Sequence, residues 1–486
     1  MIVDKHSPEQ HSHVAHTVSD RISSLLFIAY AGLFIWLPVP FGSKYPWAIS
    51  VMEIWIFLLA IMVTLLLASG HLHLSDSYKQ NKTPIVLLSL TSLWIGFQCM
   101  PIPESILAIF SPVAAATFHD MHAQHMSISL DPVITWLQFL KALALLLLFI
   151  VTLILVNTQT RLRWLAYTIV GSAFIQAIAA IVLELSNIPY AINQYTYSVT
   201  NQIIQPAGRA MGFYSNPDHL AGLLEMSLAV GIGLLISMLR SMHFQNWQQR
   251  LRHYSQILLG PKARLRIILI ILCIALVMTH SRMGNSAFFI SLIIAGAIFI
   301  TLSRHASKSV VIFLISMMVL DIMIVGSWFG FKKVIERIGN TTVAAEAQRG
   351  DVYEDTLSMI NSFKLSGIGA GNYFSTFPAY KQQGPTYYID HVHNDYLEFL
   401  LELGVIGCTP LLLLLLLSMR TLLHELRRRR SGLILGMNFA SLMGIIAILI
   451  HSGVDFNLQV PANAALFTTL VALPFVCHTL KSGEGS

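Results

Sequence analysis

Long apolar runs dominate the chain and alternate with short polar segments. An apolar run of about 20 residues is long enough to cross a bilayer as an α-helix. An even number of such runs would place both termini on the same side of the membrane. The pattern predicts an all-α polytopic membrane protein with about twelve transmembrane helices, at 22–40, 47–69, 84–100, 132–156, 164–185, 219–239, 265–280, 284–302, 309–330, 396–417, 433–451 and 459–478.

Composition and charge support this class of protein. Hydrophobic residues make up 55% of the 486 residues and charged residues only 11%, whereas soluble proteins have about 25% charged residues. The net charge of +6 does not indicate a nucleic-acid partner, because the basic residues form short runs beside apolar segments, as at 252–266 and 427–430. Such runs are typical of cytoplasmic loops.

The distribution of Lys and Arg also predicts the orientation. With the N-terminus in the cytoplasm, most basic residues fall in inside segments, and the short outside loops carry only Lys44, Arg209 and Arg282. A long outer loop at 101–131 has neither Lys nor Arg. The predicted organisation is a cytoplasmic tail (1–21), N-terminal helices (22–200), central helices with Arg at their outer ends (201–330), a large periplasmic loop (331–395), C-terminal helices (396–478) and a cytoplasmic tail (479–486).

The large loop before the tenth span contains a helical pattern. Apolar residues in the stretch 346–363 recur at helical spacing. We expect an amphipathic helix lying on the outer membrane surface. The glycine-rich stretch 367–373 then predicts a tight turn.

Four polar stretches interrupt apolar sequence, and the predicted topology places all of them at outer ends of helices. They are 208–222, 279–286, 387–395 and 451–463. Polar groups at membrane depth are costly and tend to be functional, although one alone can be structural. Their convergence on one face predicts a site there.

The third stretch holds the densest cluster. Asn394 or Asp395 is a good N-cap for the tenth span, and Asp395 with Glu398 has capping-box spacing. A cap does not require His393. A helix N-terminus favours anions and a neutral imidazole, so His393 suits a base beside a phosphate.

A metal site is the alternative interpretation of this cluster. Its ligands would be His391, His393, Glu398 and Glu402, but their spacing matches no zinc pattern, so we expect no metal and no other cofactor. The histidines at 119, 122 and 125 favour a solvated helix turn. The basic residues on the outer face are Arg209, Arg282 and Arg349, and guanidinium groups bind phosphate bidentately.

Several motifs together resemble the O-antigen ligase and polymerase superfamily. The stretch "HNDYLEFLLELGVIG" has His393, Asn394, nine residues, Gly404, two residues and Gly407, which is similar to the superfamily signature. The stretches "GRAMGFYSNPDHLAGLL", "SRMGNSAFF", "RGDVYEDTLSMINSFKLSGIGAGNYFSTFPAY" and "HSGVDFNLQVPANAALF" resemble its flanking elements. One departure is His219, where many members have an apolar residue. The resemblance covers roughly 200–470.

The resemblance implies a GT-C-like glycosyltransferase of the bacterial inner membrane that needs neither a metal nor a nucleotide sugar. The donor would be a glycan on undecaprenyl diphosphate at the periplasmic face, and the acceptor a sugar hydroxyl of a glycan or glycolipid. His393 would be the general base. Arg209, Arg282 and Arg349 would hold the diphosphate, while Asp455, Asn394 and Asp390 would orient the acceptor.

Other functions stay open. A ligase would use lipid A–core as its acceptor, and a polymerase would use another lipid-linked repeat. A flippase or transporter would need charges near the midplane. The candidates within spans, Lys141, Glu184, Glu225 and Asp321, form no visible set. A purely structural subunit would not explain why His393 shares a face with arginines.

Overall fold

The computed structural model describes residues 8–186, 208–239, 260–303, 310–312, 315–316, 319, 323, 343–381, 389–429 and 431–480. The side chains of 8–20, 261, 343–349 and 351 lie outside this description. Regular structure in the described ranges is helical, without a strand. The helices are Pro8–Trp36, Pro46–Ala68, Asp76–Gln80, Lys82–Gln98, Glu104–Phe110, Pro112–Asp120, Pro132–Leu155, Gln159–Leu185, Pro217–Met238, Pro261–Met278, Arg282–Leu302, Val343–Phe363, Tyr373–Thr376, Asp395–Arg428, Gly432–His451 and Pro461–Thr479.

Within the described parts, eight helices are long and apolar enough to cross a membrane. They confirm the predicted all-α polytopic class. Of the four other predicted spans, the first contains a shorter apolar helix, Arg21–Trp36. The third is a 17-residue helix, Lys82–Gln98. The seventh is the helix Pro261–Met278, which begins with basic residues. The ninth, 309–330, lies largely outside the described residues, and a total of twelve stays a prediction.

One helix forms the centre of the bundle. Pro217–Met238, the central helix, is buried along almost its whole length and packs against Gly432–His451, the penultimate helix. The two approach closely where Gly233 meets Gly436, since a Cβ on Gly233 would lie 2.2 Å from the carbonyl oxygen of Gly436. Small residues permit such close contact between membrane helices. The central helix therefore holds its polar residues in a fixed position.

The helix Asp395–Arg428, the broken helix, is interrupted at Gly404. This glycine has φ 64° and ψ −178°, a conformation that only glycine adopts readily. The loop after residue 363 supplies hydrogen bonds at the break. The amide of Val405 donates to the carbonyl of Lys364 (2.9 Å), and the amide of Ile368 donates to that of Leu401 (2.9 Å). The predicted tenth span is thus a short first segment, 395–403, followed by a membrane-length helix.

The predicted helix in the large loop is present, as Val343–Phe363, and its expected position on the membrane surface stays a prediction. Met359, Ile360 and Phe363 are buried in a protein cluster with residues of the 101–131 loop and with Leu401. Packing within the protein covers these apolar side chains, so this face of the helix is not available to lipid. Because Leu401 belongs to the broken helix, this cluster packs the helix Val343–Phe363 against the first segment of the broken helix.

Candidate functional site

The site is built where the broken helix meets residues 452–460, the C-terminal turn between the penultimate and last helices. The side chain of Asn394 caps the broken helix by accepting from the amide of Leu397 (3.1 Å) and donates to the carbonyl of Gly453 (2.9 Å). The carboxylate of Asp395 accepts from the hydroxyl of Ser452 (2.6 Å) and the amide of Leu458 (3.0 Å). These bonds fix two distant segments against each other.

The predicted capping box is not formed. Asn394, and not Asp395, is the N-cap. Glu398 turns away from the cap, with Oε1 2.6 Å from Nδ1 of His391 and Oε2 accepting from the amide of Val392 (3.0 Å). The carboxylate of Glu398 therefore holds His391 and Val392 in place, and these two residues lead the chain into His393.

His393 itself stands in a strained backbone conformation. Its φ is +56°, which is unfavourable for a residue other than glycine and is found most often at functional sites. The hydroxyl of Tyr353 donates to its carbonyl oxygen (3.1 Å). Nδ1 of the ring lies 3.5 Å from Oδ1 of Asp455, and the side chain is 35% exposed. One edge of the imidazole thus faces a buried carboxylate while the ring stays accessible.

Asp455 is the centre of a group of buried ionisable side chains. Its Oδ2 lies 3.8 Å from Nε2 of His219 and 3.8 Å from Nε2 of His451, and it accepts a hydrogen bond from Asn457 (3.2 Å). Nδ1 of His451 lies 3.1 Å from Oε1 of Glu225. The central helix, penultimate helix and C-terminal turn each contribute to this group.

The charge state of Asp455 follows from these neighbours. Burial by itself would raise the pKa of Asp455, but the hydrogen bond with His393 and the charges of His219 and His451 outweigh it, so that the pKa lies well below its usual value. The lowered pKa favours the ionised form of the Asp455 carboxylate. An anion at this position orients the His393 ring and stabilises it when it takes up a proton.

Two predicted arginines lie beside this group. Nη2 of Arg209 lies 2.7 Å from Oδ1 of Asp218, which directly precedes His219, and Nε donates to the carbonyl of Thr279 (2.8 Å). Arg282 is exposed at the first turn of its helix. That turn contacts the group, because a Cβ on Gly284 would lie 3.2 Å from the His451 ring. Arg209 is thus tied to the residue before His219, and the turn that carries Arg282 adjoins His451; guanidinium groups and a helix N-terminus are all favourable to an anion.

The other predicted residues are placed differently. The backbone of Arg349 belongs to the helix Val343–Phe363, and its side chain lies outside the described residues. Asp390 forms an exposed ion pair with Lys44 (3.4 Å), and the charge of Lys44 helps to lower the pKa of Asp390 although burial opposes this. Asp390 thus lies at the entrance of the site and is not paired with His393.

A phenylalanine that sequence reasoning missed joins the parts of the site. The ring of Phe456 stacks on His391 (4.0 Å between centroids) and meets the edges of His219 (4.5 Å) and His393 (4.9 Å). The nearest sequence signals were Glu225, a charge inside an apolar run, and His219, a departure from the superfamily pattern within the polar stretch 208–222. Only the fold shows that they meet at Asp455, because the four elements are far apart in the chain.

The arrangement can remove a proton and hold a diphosphate. Nothing in the part of the chain that the structure describes has the geometry of a His, Cys, Asp and Glu metal cluster. The two histidines predicted as alternative metal ligands contact different carboxylates: His391 contacts Glu398, and His393 contacts Asp455.

The chain matches one known family model. Residues 267–412 match the model described as O-antigen ligase. The match includes Arg282, the helix break at Gly404 and His393. No curated protein matches the chain.

Proposed function

The chain belongs to the O-antigen ligase/polymerase superfamily, and we propose that it is a glycosyltransferase that moves a glycan from undecaprenyl diphosphate to a sugar hydroxyl at the periplasmic face of the bacterial inner membrane. The observation that carries the proposal is the pairing of His393 with the buried Asp455. Arg209, held by Asp218 beside His219, and Arg282, on the turn that adjoins His451, support it.

His393 acts as the base in this reaction. Nδ1 faces Asp455, which leaves Nε2 for the hydroxyl of the acceptor. As the hydroxyl oxygen attacks the anomeric carbon, its proton passes to Nε2, and the carboxylate of Asp455 stabilises the imidazolium. A positioned base of this kind contributes about 10²–10⁴-fold to a rate.

The donor requires charge stabilisation rather than an acid. The bond between the anomeric carbon and the phosphate oxygen breaks, and undecaprenyl diphosphate leaves with the bonding electrons. Arg209 and Arg282 hold the diphosphate and stabilise the charge that develops there. Asp218 holds Arg209 in place before the donor arrives. A single displacement inverts the anomeric configuration.

The acceptor decides between ligase and polymerase, and the site supports either. In surface polysaccharide assembly, a ligase transfers to lipid A–core and a polymerase to another lipid-linked repeat. Incubation of the purified protein with lipid-linked repeats alone separates them. Chain growth without lipid A–core establishes a polymerase, and transfer that depends on lipid A–core establishes a ligase.

The experiment that tests the proposal replaces His393. Asn tolerates the left-handed backbone conformation that His393 adopts, so His393→Asn removes the base without adding strain, and His393→Ala serves as a second variant. We expect both to be expressed in the membrane at normal levels and to lose transfer by at least about 100-fold.

His125→Ala is the matched control, because His125 is an exposed histidine of the outer loop. It should retain full transfer. Normal polysaccharide assembly by both His393 variants would refute the proposed role. Transport of a lipid-linked glycan across the bilayer, without formation of a glycosidic bond, would favour the flippase.

A further inference from the structure

A polar cavity of about 250 Å³ lies beside His393, separate from the arginines. Its mouth is formed by Phe374 and by the exposed ion pair of Lys44 and Asp390, and its floor by Glu398 and Glu402, which are buried. None of Arg209, Asp218 and Arg282 borders it among the described residues. The volume is slightly below the range of about 300–1,000 Å³ for drug-sized ligands, which suits one small residue of a larger substrate.

Lys141 points to a ligand in this cavity. It lies in the middle of the membrane-length helix Pro132–Leu155, about 14 Å from its start at 1.5 Å per residue. It borders the polar cavity and also an adjoining apolar cavity of about 440 Å³. Lys141 interacts electrostatically with Glu402 and Glu398 but forms no ion pair within 4 Å in the described parts of the chain. An ionisable side chain at membrane depth is costly and usually functional.

Further hydrogen-bonding groups line the same space. Gln138 lies one helical turn before Lys141 and borders both cavities, as does Gln459 of the C-terminal turn. The amide nitrogen of Gln459 is buried and donates to no described residue. A buried donor without a partner costs about 1–3 kcal/mol, so a bound group that accepts its hydrogen bond would relieve this cost.

The charges of the cavity favour an uncharged ligand. Lys44 is paired with Asp390, and the carboxylate of Glu398 lies against His391. Lys141 is close to Glu402. Positive and negative groups therefore alternate around the space, and a phosphate or an ammonium group would meet like charges. Hydroxyl groups can both donate to carboxylates and accept from ammonium and amide groups, as a sugar requires.

The cavity is connected with the base through a shared wall. His391 borders the cavity, and His393 lies two residues later, at most about 7 Å away along the chain. Both rings contact Phe456, which also lines the cavity. A sugar residue in the cavity could thus present a hydroxyl group at the position where His393 acts.

We infer that this cavity is a carbohydrate subsite that binds one uncharged sugar residue of the acceptor, with Lys141, Gln138 and Gln459 as hydrogen-bonding partners. This inference rests on the proposed glycosyl transfer. It assigns the two sides of His393 to different substrates, because the donor diphosphate lies towards Arg209 and Arg282. It also explains an ammonium group inside an apolar helix.

The test measures sugar binding without requiring transfer. Saturation-transfer NMR on the purified protein in nanodiscs would use glucose, galactose, mannose and N-acetylglucosamine as probes. We expect at least one of them to bind, and Lys141→Met and Gln138→Leu to weaken its binding about tenfold or more. Lys79→Met is the matched control, because Lys79 is exposed and far from the cavity in the chain, and it should bind like the unaltered protein.

A kinetic arm uses the lipid-linked repeats that support transfer. The Lys141 and Gln138 variants should raise the KM for the acceptor about tenfold and leave the KM for the donor unchanged. Absence of binding by all four sugars, equal binding by the Lys141→Met and Lys79→Met variants, or competition by inorganic phosphate would overturn the inference. Full transfer by the His393 variants would instead refute the proposed function, and sugar binding would remain measurable in them.

Discussion

We predict that replacing Gly404 destabilises the protein and lowers transfer, although a glycine has no side chain that could take part in the reaction. Replacing Gly404 by Ala adds a Cβ that would lie 2.4 Å from the carbonyl oxygen of Leu365 and 2.6 Å from the amide nitrogen of Gly367. Both are backbone atoms, so neither can turn aside as a flexible side chain would. The loop must move or the break must straighten, and both changes disturb the segment 395–403, which Asn394 caps.

The expected loss in the free energy of unfolding of Gly404→Ala has two parts. Ala in the conformation of Gly404, with φ 64° and ψ −178°, costs about 1–3 kcal/mol. Relief of the backbone clash costs about 1–3 kcal/mol more, as for other overpacked sites. The sum, about 2–6 kcal/mol, is large compared with the usual effect of a single substitution. Transfer should fall with it, because the segment 395–403 positions the approach to His393.

Two control variants separate these parts. Gly70 has φ 74° with nothing near its Cβ position, so Gly70→Ala adds only backbone strain. Gly171 has open space and an ordinary helical φ, so Gly171→Ala adds neither effect. Thermal unfolding in nanodiscs should rank Gly404→Ala lowest, Gly70→Ala next and Gly171→Ala near the unaltered protein. If Gly404→Ala unfolds at the same temperature as Gly171→Ala, the described break is wrong.

The buried charges give two more predictions. Asp455→Asn should lower transfer at least about 100-fold. Because the folded pKa of Asp455 is lowered, its contribution to stability is present above about pH 4 and is lost only as the pH falls further, so the stability that Asp455 adds relative to the variant should shrink when unfolding is followed below pH 4. Glu225→Leu should lower the free energy of unfolding by about 3–5 kcal/mol, because Nδ1 of the buried His451 loses its carboxylate partner, and adding His451→Phe should recover much of it. Additive costs in this double-mutant cycle would contradict the pairing.

Hydropathy alone predicted the class of fold because a membrane helix leaves a long apolar run in the sequence. It could not predict the break at Gly404, since the hydrogen bonds that stabilise it come from a loop almost forty residues earlier. The amphipathic pattern of the helix Val343–Phe363 predicted an apolar face, but not whether lipid or protein covers it. The covering residues lie in the 101–131 loop and the broken helix.

Site prediction had the same limit. His393 could be singled out because a helix cap does not explain a histidine. The structure places Arg209 beside Asp218 and the turn of Arg282 beside His451, while the role of each residue stays a prediction. Glu225 and Lys141 were visible as isolated charges in apolar runs. Their partners could not be identified, because His451 is 226 residues from Glu225 in the chain.

The attachment of the broken helix to the C-terminal turn has a consequence for biosynthesis. The amide of Asp395 donates to the carbonyls of Ser452 and Asp455, about sixty residues further along the chain. Translation and membrane insertion deliver the arginines first, then His393, and the carboxylate of Asp455 only with the final pair of helices. A nascent or truncated chain that stops before residue 452 therefore lacks the group that orients His393. Completion of the polypeptide is therefore what completes the group of side chains around His393.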